Sequence, residues 1–317
     1  VLRNGEELIS DEEKFDAFIF VLIVGSRFSG LLTRLDFNGN QIWETSIHDD
    51  RILGIAIDYN NGYIYSGGDT GAIRKTNIET GVEITSGKWP FTKHTNTVWG
   101  ITLDPSGYIY SGSQDNTVKK IDFDGNTIWT FTGHSSTARH IVIDSNGYLY
   151  SDSNDAVIRK LDPSNGNEIT SGGWPFTGHS SGIASLVIDV NDYIYSGGYD
   201  DTLRKIAPDG TEEWIFTGHT SSINVVAIDS DAGYIYSGSS DNTVKKLNIN
   251  DGSEVTSGEW PFTGHSDAIR GLEVDSNGYL YSIGYDKTVR KISPDGNQLW
   301  IYDTRQSNTG SSLISEQ

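Results

Sequence analysis

Neither cysteine nor methionine occurs among the 317 residues, and there are only seven prolines. With no thiol, disulfide staples and thiol nucleophiles are unavailable, and cohesion must come from burial and hydrogen bonding. Basic residues are few: 23 Lys and Arg stand against 43 Asp and Glu, a formal net charge of −20 at pH 7. Nucleic acids and anionic membranes are held by basic patches, so this balance argues against both and favours cations or basic protein surfaces. Long apolar runs are lacking too. The one candidate, Ala17 to Val24 (AFIFVLIV), falls well short of the roughly 20 residues of a membrane helix and follows an acidic stretch. It is expected to form a buried strand, and no membrane insertion is expected. Helical periodicity is scarce, whereas 36 Gly, 16 Tyr and 8 Trp point to strands and tight turns. A start at Val1 is read as processing or trimming of the chain.

What is present is repetition. Tyr-Ile/Leu-Tyr-Ser starts at Tyr63, Tyr108, Tyr148, Tyr193, Tyr234 and Tyr279, and Leu22-Ile23-Val24-Gly25 is a degenerate copy upstream. The intervals are 41, 45, 40, 45, 41 and 45 residues, so short and long units alternate, as duplication of a two-repeat block would leave them. Repeats of this period with several strands each are propeller blades, because helical repeats of similar length need amphipathic helices. In the copy starting at His134, Ile141 to Ile143 reads as the inner strand and Asp144 to Gly147 as a turn. Tyr148 to Ser151, Val157 to Leu161 and a segment around Ile169 supply the other strands. The expected fold is all-β: a single seven-bladed β-propeller of four-stranded antiparallel blades over residues 16–305. Residues 1–15 are a leader or closing strand, and 306–317 a flexible tail. Either Asn4 to Ser10 (NGEELIS) or Gly296 to Ile301 (GNQLWI) completes the last blade, since interlocking the chain ends removes an exposed sheet edge.

Six of the seven histidines, His48, His94, His134, His179, His219 and His265, occupy one position per copy, just before the inner strand. Aspartates follow five of them at 21 or 22 residues, giving the pairs His94–Asp115, His134–Asp155, His179–Asp200, His219–Asp241 and His265–Asp286. After His48 the matching residue is Thr70. A catalytic base would not be copied six times. Each pair is expected to be structural, an imidazole bonded to a carboxylate that ties the loop before the inner strand to the turn between second and third strands. The serines of Phe-Thr-Gly-His-Ser-Ser (131–136 and 176–181) are then turn residues, not nucleophiles.

Gly133-His134 and Ser111 to Val118 (SGSQDNTV) resemble the Gly-His start and the aspartate turn of WD-repeat proteins. Leu35-Asp36, Ile121-Asp122 and Leu161-Asp162 stand where that family has Trp-Asp, and Ile206-Ala207 and Leu247-Asn248 lack even the aspartate. Trp43, Trp129, Trp214 and Trp300, each after a Gly turn, resemble quinoprotein-type propeller repeats instead. The resemblance implies a propeller that serves as a platform for partners, with His134 and Asp155 as a structural pair.

Other columns carry alternatives. Arg74-Lys75, Lys119-Lys120, Arg159-Lys160, Arg204-Lys205, Lys245-Lys246 and Arg290-Lys291 fill two adjacent third-strand positions, which face opposite ways. One column is expected to run between blades, with Asp104, Asp144 and Asp189 as candidate partners. Gly-x-Trp-Pro-Phe-Thr in the long repeats places Trp89, Trp174 and Trp260 as candidate sugar-stacking sites, or as spacers between outer strands. Turns such as Asp122 to Asn126 suit calcium or plain Asx bonding equally, and no metal is assigned.

Everything polar that stands out is replicated, so no catalytic residue and no cofactor is expected. The least symmetric residues, Trp99, Arg139, His140 and Tyr199, are the candidate ligand-binding positions. A non-enzymatic protein-binding scaffold follows, extracellular or on a virus particle as an attachment or decoration module. The alternatives are a glycan-binding propeller using the tryptophans, and a quinoprotein- or lyase-type enzyme.

Overall fold

The computed structural model describes residues 2–3, 6–7, 22–26, 30–35, 41–303 and 311–312, and every regular element among them is a β-strand. None of these residues belongs to a helix long and apolar enough to cross a membrane. Strands form where the repeat places apolar and aromatic alternation. In one copy Val98–Leu103, Ile109–Ser113, Val118–Ile121 and Thr127–Phe131 make an antiparallel sheet in sequence order. The first two are joined by a turn in which Asp104 Oδ1 accepts the amides of Ser106 and Tyr108, while Gly107 takes a positive φ of 84°. The same Asx bonding recurs at Asp144, Asp189 and Asp275, so the turn fixes strand register in each copy.

The Tyr-x-Tyr-Ser segment is the second strand, and both rings share one sheet face: Lys160 Nζ lies 4.7 Å from the centroid of Tyr148 and 4.9 Å from that of Tyr150. The second tyrosine, as in Tyr65, Tyr110, Tyr150 and Tyr195, is fully buried. It packs on a tryptophan from the outer edge of its own blade, at 5.9 Å for Tyr110–Trp129 and 4.9 Å for Tyr150–Trp174. Each of these indoles then donates Nε1–H to a turn carbonyl of the following blade. Trp89 reaches Phe123 O at 2.9 Å, Trp129 reaches Pro163 O at 3.0 Å and Trp174 reaches Pro208 O at 3.0 Å.

The third-strand lysine uses the same carbonyl: Lys120 Nζ donates to Pro163 O at 3.0 Å and Lys246 Nζ to Pro294 O at 3.0 Å. One column of the basic belt thus runs between blades, with its amines over tyrosine rings, as for Lys120 at 4.1 Å from Tyr108. The other column pairs with the outer strand, as in Arg74–Glu83 at 2.7 Å and Lys245–Glu254 at 2.6 Å. Asp104, Asp144 and Asp189 accept instead from the hydroxyls of Tyr110, Tyr150 and Tyr195, and of the three only Asp144 also has a lysine amine nearby, Lys160 at 3.7 Å. Lys75, 2% exposed, is pushed down to about 8 by burial.

Long and short repeats converge on this packing. In the long ones the fourth strand is broken: Thr76 pairs with Glu83 and Ile73 with Phe91, and the residues between them loop out through a cis Trp89–Pro90 bond. The loop delivers Trp89 to the place that the uninterrupted strand delivers Trp129. Two sheets therefore have three strands by hydrogen-bond order, not the four expected of every blade.

The expectation of seven uniform blades is corrected in count. Six blades are each built from one continuous stretch, beginning at Ile52, Val98, Ala138, Ile183, Ile223 and Ile269. A further sheet is composite, ordered Ser311–Ser312, Leu22–Ser26, Leu31–Leu35, Gln41–Ser46, and joins the two ends of the chain. The physical reason is an otherwise open edge: among the described residues no strand before Leu22–Ser26 pairs with it, and Ser311–Ser312 covers that edge. Those two residues lie in the stretch expected to be a flexible tail. Of the candidate closing segments, Gln298–Asp303 is the fourth strand of the blade begun at Ile269, while Glu6–Glu7 pairs with Leu2–Arg3 in a separate ribbon. Within the run expected to be a buried strand, Leu22 to Val24 are extended and Ile23 is fully buried; residues 17–21 lie outside the described residues.

Because Trp174 joins its own blade to the next, Trp174→Ala is expected to cost about 3–5 kcal/mol in denaturant unfolding. Val190→Ala, at a side chain 80% exposed, should change stability by no more than about 0.5 kcal/mol; equal effects would refute the packing role of the indole.

Candidate functional site

The repeated histidines are buried and held at both ring nitrogens. His94 Nδ1 lies 2.9 Å from Asp115 Oδ2 and Nε2 2.8 Å from Ser111 Oγ. The matching distances are 3.3 and 2.8 Å at His134, 3.0 and 2.8 Å at His179, 2.8 and 2.8 Å at His219, and 2.9 and 2.8 Å at His265. A carboxylate can only accept, so at His94, His179, His219 and His265 Nδ1 carries the proton and donates to it, and in the neutral ring Nε2 accepts the serine hydroxyl; at His134, Arg159 Nη1 stands 2.8 Å from Nδ1 and 2.9 Å from Asp155 Oδ2 and bridges the pair. Burial lowers His94 and His265 below the usual imidazole range, against the opposing pull of their aspartates. Burial alone would raise the Asp115 carboxyl, but hydrogen bonds from His94, Thr117 and the Thr95 amide bring it well below the ordinary carboxylate range.

The residues around each imidazole account for the rest of Phe-Thr-Gly-His. Phe131 stands edge-on to His134 at 5.7 Å. A Cβ on Gly133 would lie 2.3 Å from the Phe131 ring, so the close approach requires glycine there. The amide of Ser135 donates to Asp155 at 2.9 Å, and its side chain stands at the exposed turn, away from any base.

His48 is the exception. Its Nε2 lies 3.0 Å from Ser66 Oγ, but with Thr70 in place of aspartate its Nδ1 has no hydrogen-bond partner. Burial and the nearby Arg74 push it down to about 4.

The asymmetric residues come together. Arg139 lies with its guanidinium carbon 4.5 Å from the Trp99 ring centroid and 5.3 Å from that of Tyr199, and Nη1 donates to Tyr199 Oη at 2.6 Å. Trp99 and Arg139 start the inner strands of adjacent blades; a Cβ on the intervening Gly100 would lie 2.0 Å from Arg139 O, which is why those strands approach so closely. Tyr199 belongs to the turn of the third blade in this row, immediately before Asp200. All three are half-buried. His140 is bound from below by Asp152, its amide donating at 2.6 Å and Nδ1 lying 2.9 Å from Oδ2. Asp152 is completely buried and replaces the glycine that the copies at Tyr63, Tyr108, Tyr193 and Tyr234 carry after Tyr-x-Tyr-Ser.

Asp152 was not among the candidates, although that break in the repeat signals it. Asn224, Arg270 and Tyr285 were missed likewise; they form a related group, with Arg270 Nη1 donating to Asn224 Oδ1 at 2.8 Å and its guanidinium 4.6 Å from Tyr285. Their signal was disagreement between copies at one column.

Trp89, Trp174 and Trp260 correct another expectation. They are 5%, 4% and 5% exposed, stacked on Tyr65, Tyr150 and Tyr236 and bonded to the next blade, so no face of these indoles is free to receive a sugar ring. Among the described residues no group of three or more His, Asp or Glu is placed to hold a metal ion.

The family model for the WD domain, G-beta repeat, matches residues 87–122 and 210–246. No curated protein sequence matches the chain. Many solved structures are similar to it; the computationally designed Ika8 protein has 22% identity, with 89% of this chain and 84% of that chain covered and a TM-score of 0.72, a likeness of fold.

Two outcomes are expected of the histidine positions. Thr70→Asp supplies the missing acceptor and should stabilise by about 1 kcal/mol at neutral pH. Since the unfolded chain protonates His48 near 6.5 and the folded one only near 4, stability must fall as pH drops through that window, by about 1.4 kcal/mol per unit. Urea titrations of both proteins from pH 7.5 to 4 should show a shallower fall in the variant; parallel curves would refute the assignment. His134→Ala should lower the melting temperature, because Asp155 and Ser151 lose their partner; an unchanged melting temperature would overturn the structural role.

Proposed function

We propose that this chain, which belongs to the WD-repeat-like β-propellers, is a non-enzymatic platform that docks another protein on the face carrying Trp99, Arg139 and Tyr199. The observation that carries the reading is where copies of the repeat disagree. The second residue of the inner strand is Leu53, Trp99, Arg139, Ala184, Asn224 and Arg270 in turn, although the residue before it is always Ile, Val or Ala. The residue ahead of the clasping aspartate is Asp69, Gln114, Asn154, Tyr199, Ser240 and Tyr285, although the next is aspartate in five of six copies.

Both columns lie on one edge of the sheets, because the start of the first strand pairs with the end of the second, as in Val98 with Ser113 and Ile223 with Ser239. A duplicated module that varies at both of these rim columns while its His–Asp clasp recurs is built to hold its frame constant and present different groups to a partner. Trp, Tyr and Arg are also the residue types that anchor protein interfaces. On the same reading, residues 16–305 form a single propeller domain. An acidic chain without sulfur suits work outside a reducing cytosol, as an attachment or decoration module on a cell or virus particle.

Panning a random peptide library on the wild-type protein tests the platform. Selected peptides should lose at least tenfold in affinity on Trp99→Ala or Tyr199→Ala and nothing on Ile128→Ala, an exposed outer-strand control. Peptides indifferent to both rim changes would refute the docking face.

A further inference from the structure

We infer that the Trp99–Arg139–Tyr199 group receives a carboxylate of the partner, so that the docked segment is an acidic peptide. The inference rests on the docking face above and adds the chemistry read there. In a chain with 43 acidic and 23 basic residues, nearly every arginine should find a carboxylate. Arg34, Arg51, Arg74, Arg159 and Arg204 do so. Arg139 does not: among the described residues its only bonded partner is the hydroxyl of Tyr199, at 2.6 Å, and its plane is occupied by the rings of Trp99 and Tyr199.

The second observation concerns orphaned donors. Arg139 Nε and Trp99 Nε1 belong to one stacked pair, are both buried, and both lack a hydrogen-bond acceptor. Such groups are costly to leave unmade, and an acceptor from outside satisfies them only after a small shift of the two side chains. Both unmet groups of this pair are donors and Arg139 carries a positive charge, so the complement is an anionic acceptor. The carboxylate of Asp152, beneath the neighbouring His140, is completely buried and committed to His140 through both oxygens.

The charge count selects among anions. A phosphate dianion is ordinarily clasped by several cations; here a single guanidinium stands at the rim of a chain with net charge −20. A planar monoanion matches one guanidinium held flat between two rings. The overall acidity predicted a basic partner, but that prediction averages the whole surface, whereas the unmet groups of the stacked Trp99–Arg139 pair are donors alone.

The test exchanges each Asp and Glu of the selected peptides for Asn or Gln, one at a time, and measures binding to wild type, Arg139→Gln and Arg139→Lys by fluorescence anisotropy. One acidic position should cost at least tenfold on wild type and less than twofold on Arg139→Gln, with an intermediate loss on Arg139→Lys and unchanged melting temperatures. If peptides that respond to Trp99→Ala contain no acid coupled to Arg139, the carboxylate inference falls and the platform stands. If millimolar inorganic phosphate displaces them while acetate at equal ionic strength does not, the anion is a phosphate and the inference is wrong. Peptides blind to Trp99→Ala, or no selected peptide at all, would bring down both readings.

Discussion

An imidazole clamped between a carboxylate and a serine hydroxyl is the contact on which the rest depends. It joins two segments distant in sequence, the loop before the inner strand and the turn between second and third strands, and it does so away from water. His179 and Asp200 hold the turn whose preceding residue is Tyr199; His134 and Asp155 hold the loop that leads into Arg139. The buried pairs thus set the geometry of the half-buried rim group.

Between blades a different economy applies. One turn carbonyl receives both an indole N–H and a lysine ammonium, as Pro163 O does from Trp129 and Lys120. A carbonyl has two lone pairs, and using both lets each blade contribute two donors to its neighbour without burying an extra acceptor. The lysine stem fills the space between sheets and its charge lies over tyrosine rings, so the cation is partly solvated by aromatic faces. Twelve basic residues in a repeating belt thus serve the frame. The remaining surface is left strongly acidic, and this is why an arginine without a carboxylate stands out at the rim.

The alternation of long and short repeats has a packing explanation. Trp89, Trp174 and Trp260 arrive from looped insertions, whereas Trp43, Trp129 and Trp214 arrive from continuous outer strands, yet both sets donate to the same turn of the following blade. Two sequence solutions satisfy one steric and hydrogen-bonding demand. A sugar-stacking role for the looped tryptophans fails for the same reason, since the demand consumes both the ring face and the N–H.

Sequence alone determined whatever is periodic. The strand alternation of Tyr148-Leu149-Tyr150, the 21-residue step from His134 to Asp155 and the turn at Asp144 are short-range patterns, and their spacing constrains geometry before any fold is known. It also pointed to Trp99, Arg139, His140 and Tyr199 as exceptions to the pattern, but not to their contacts, because Arg139 meets Trp99 and Tyr199 only when neighbouring blades bring their edges together. Tertiary structure decided three further matters: that Asp152 lies under His140, that the tryptophans are sealed, and that Ser311–Ser312 pairs with Leu22–Ser26 while Glu6–Glu7 pairs with Leu2–Arg3. Each is a choice among partners of equal local suitability. Local sequence sets what a residue can bond to; the ring, by fixing which edges face one another, sets what it does bond to.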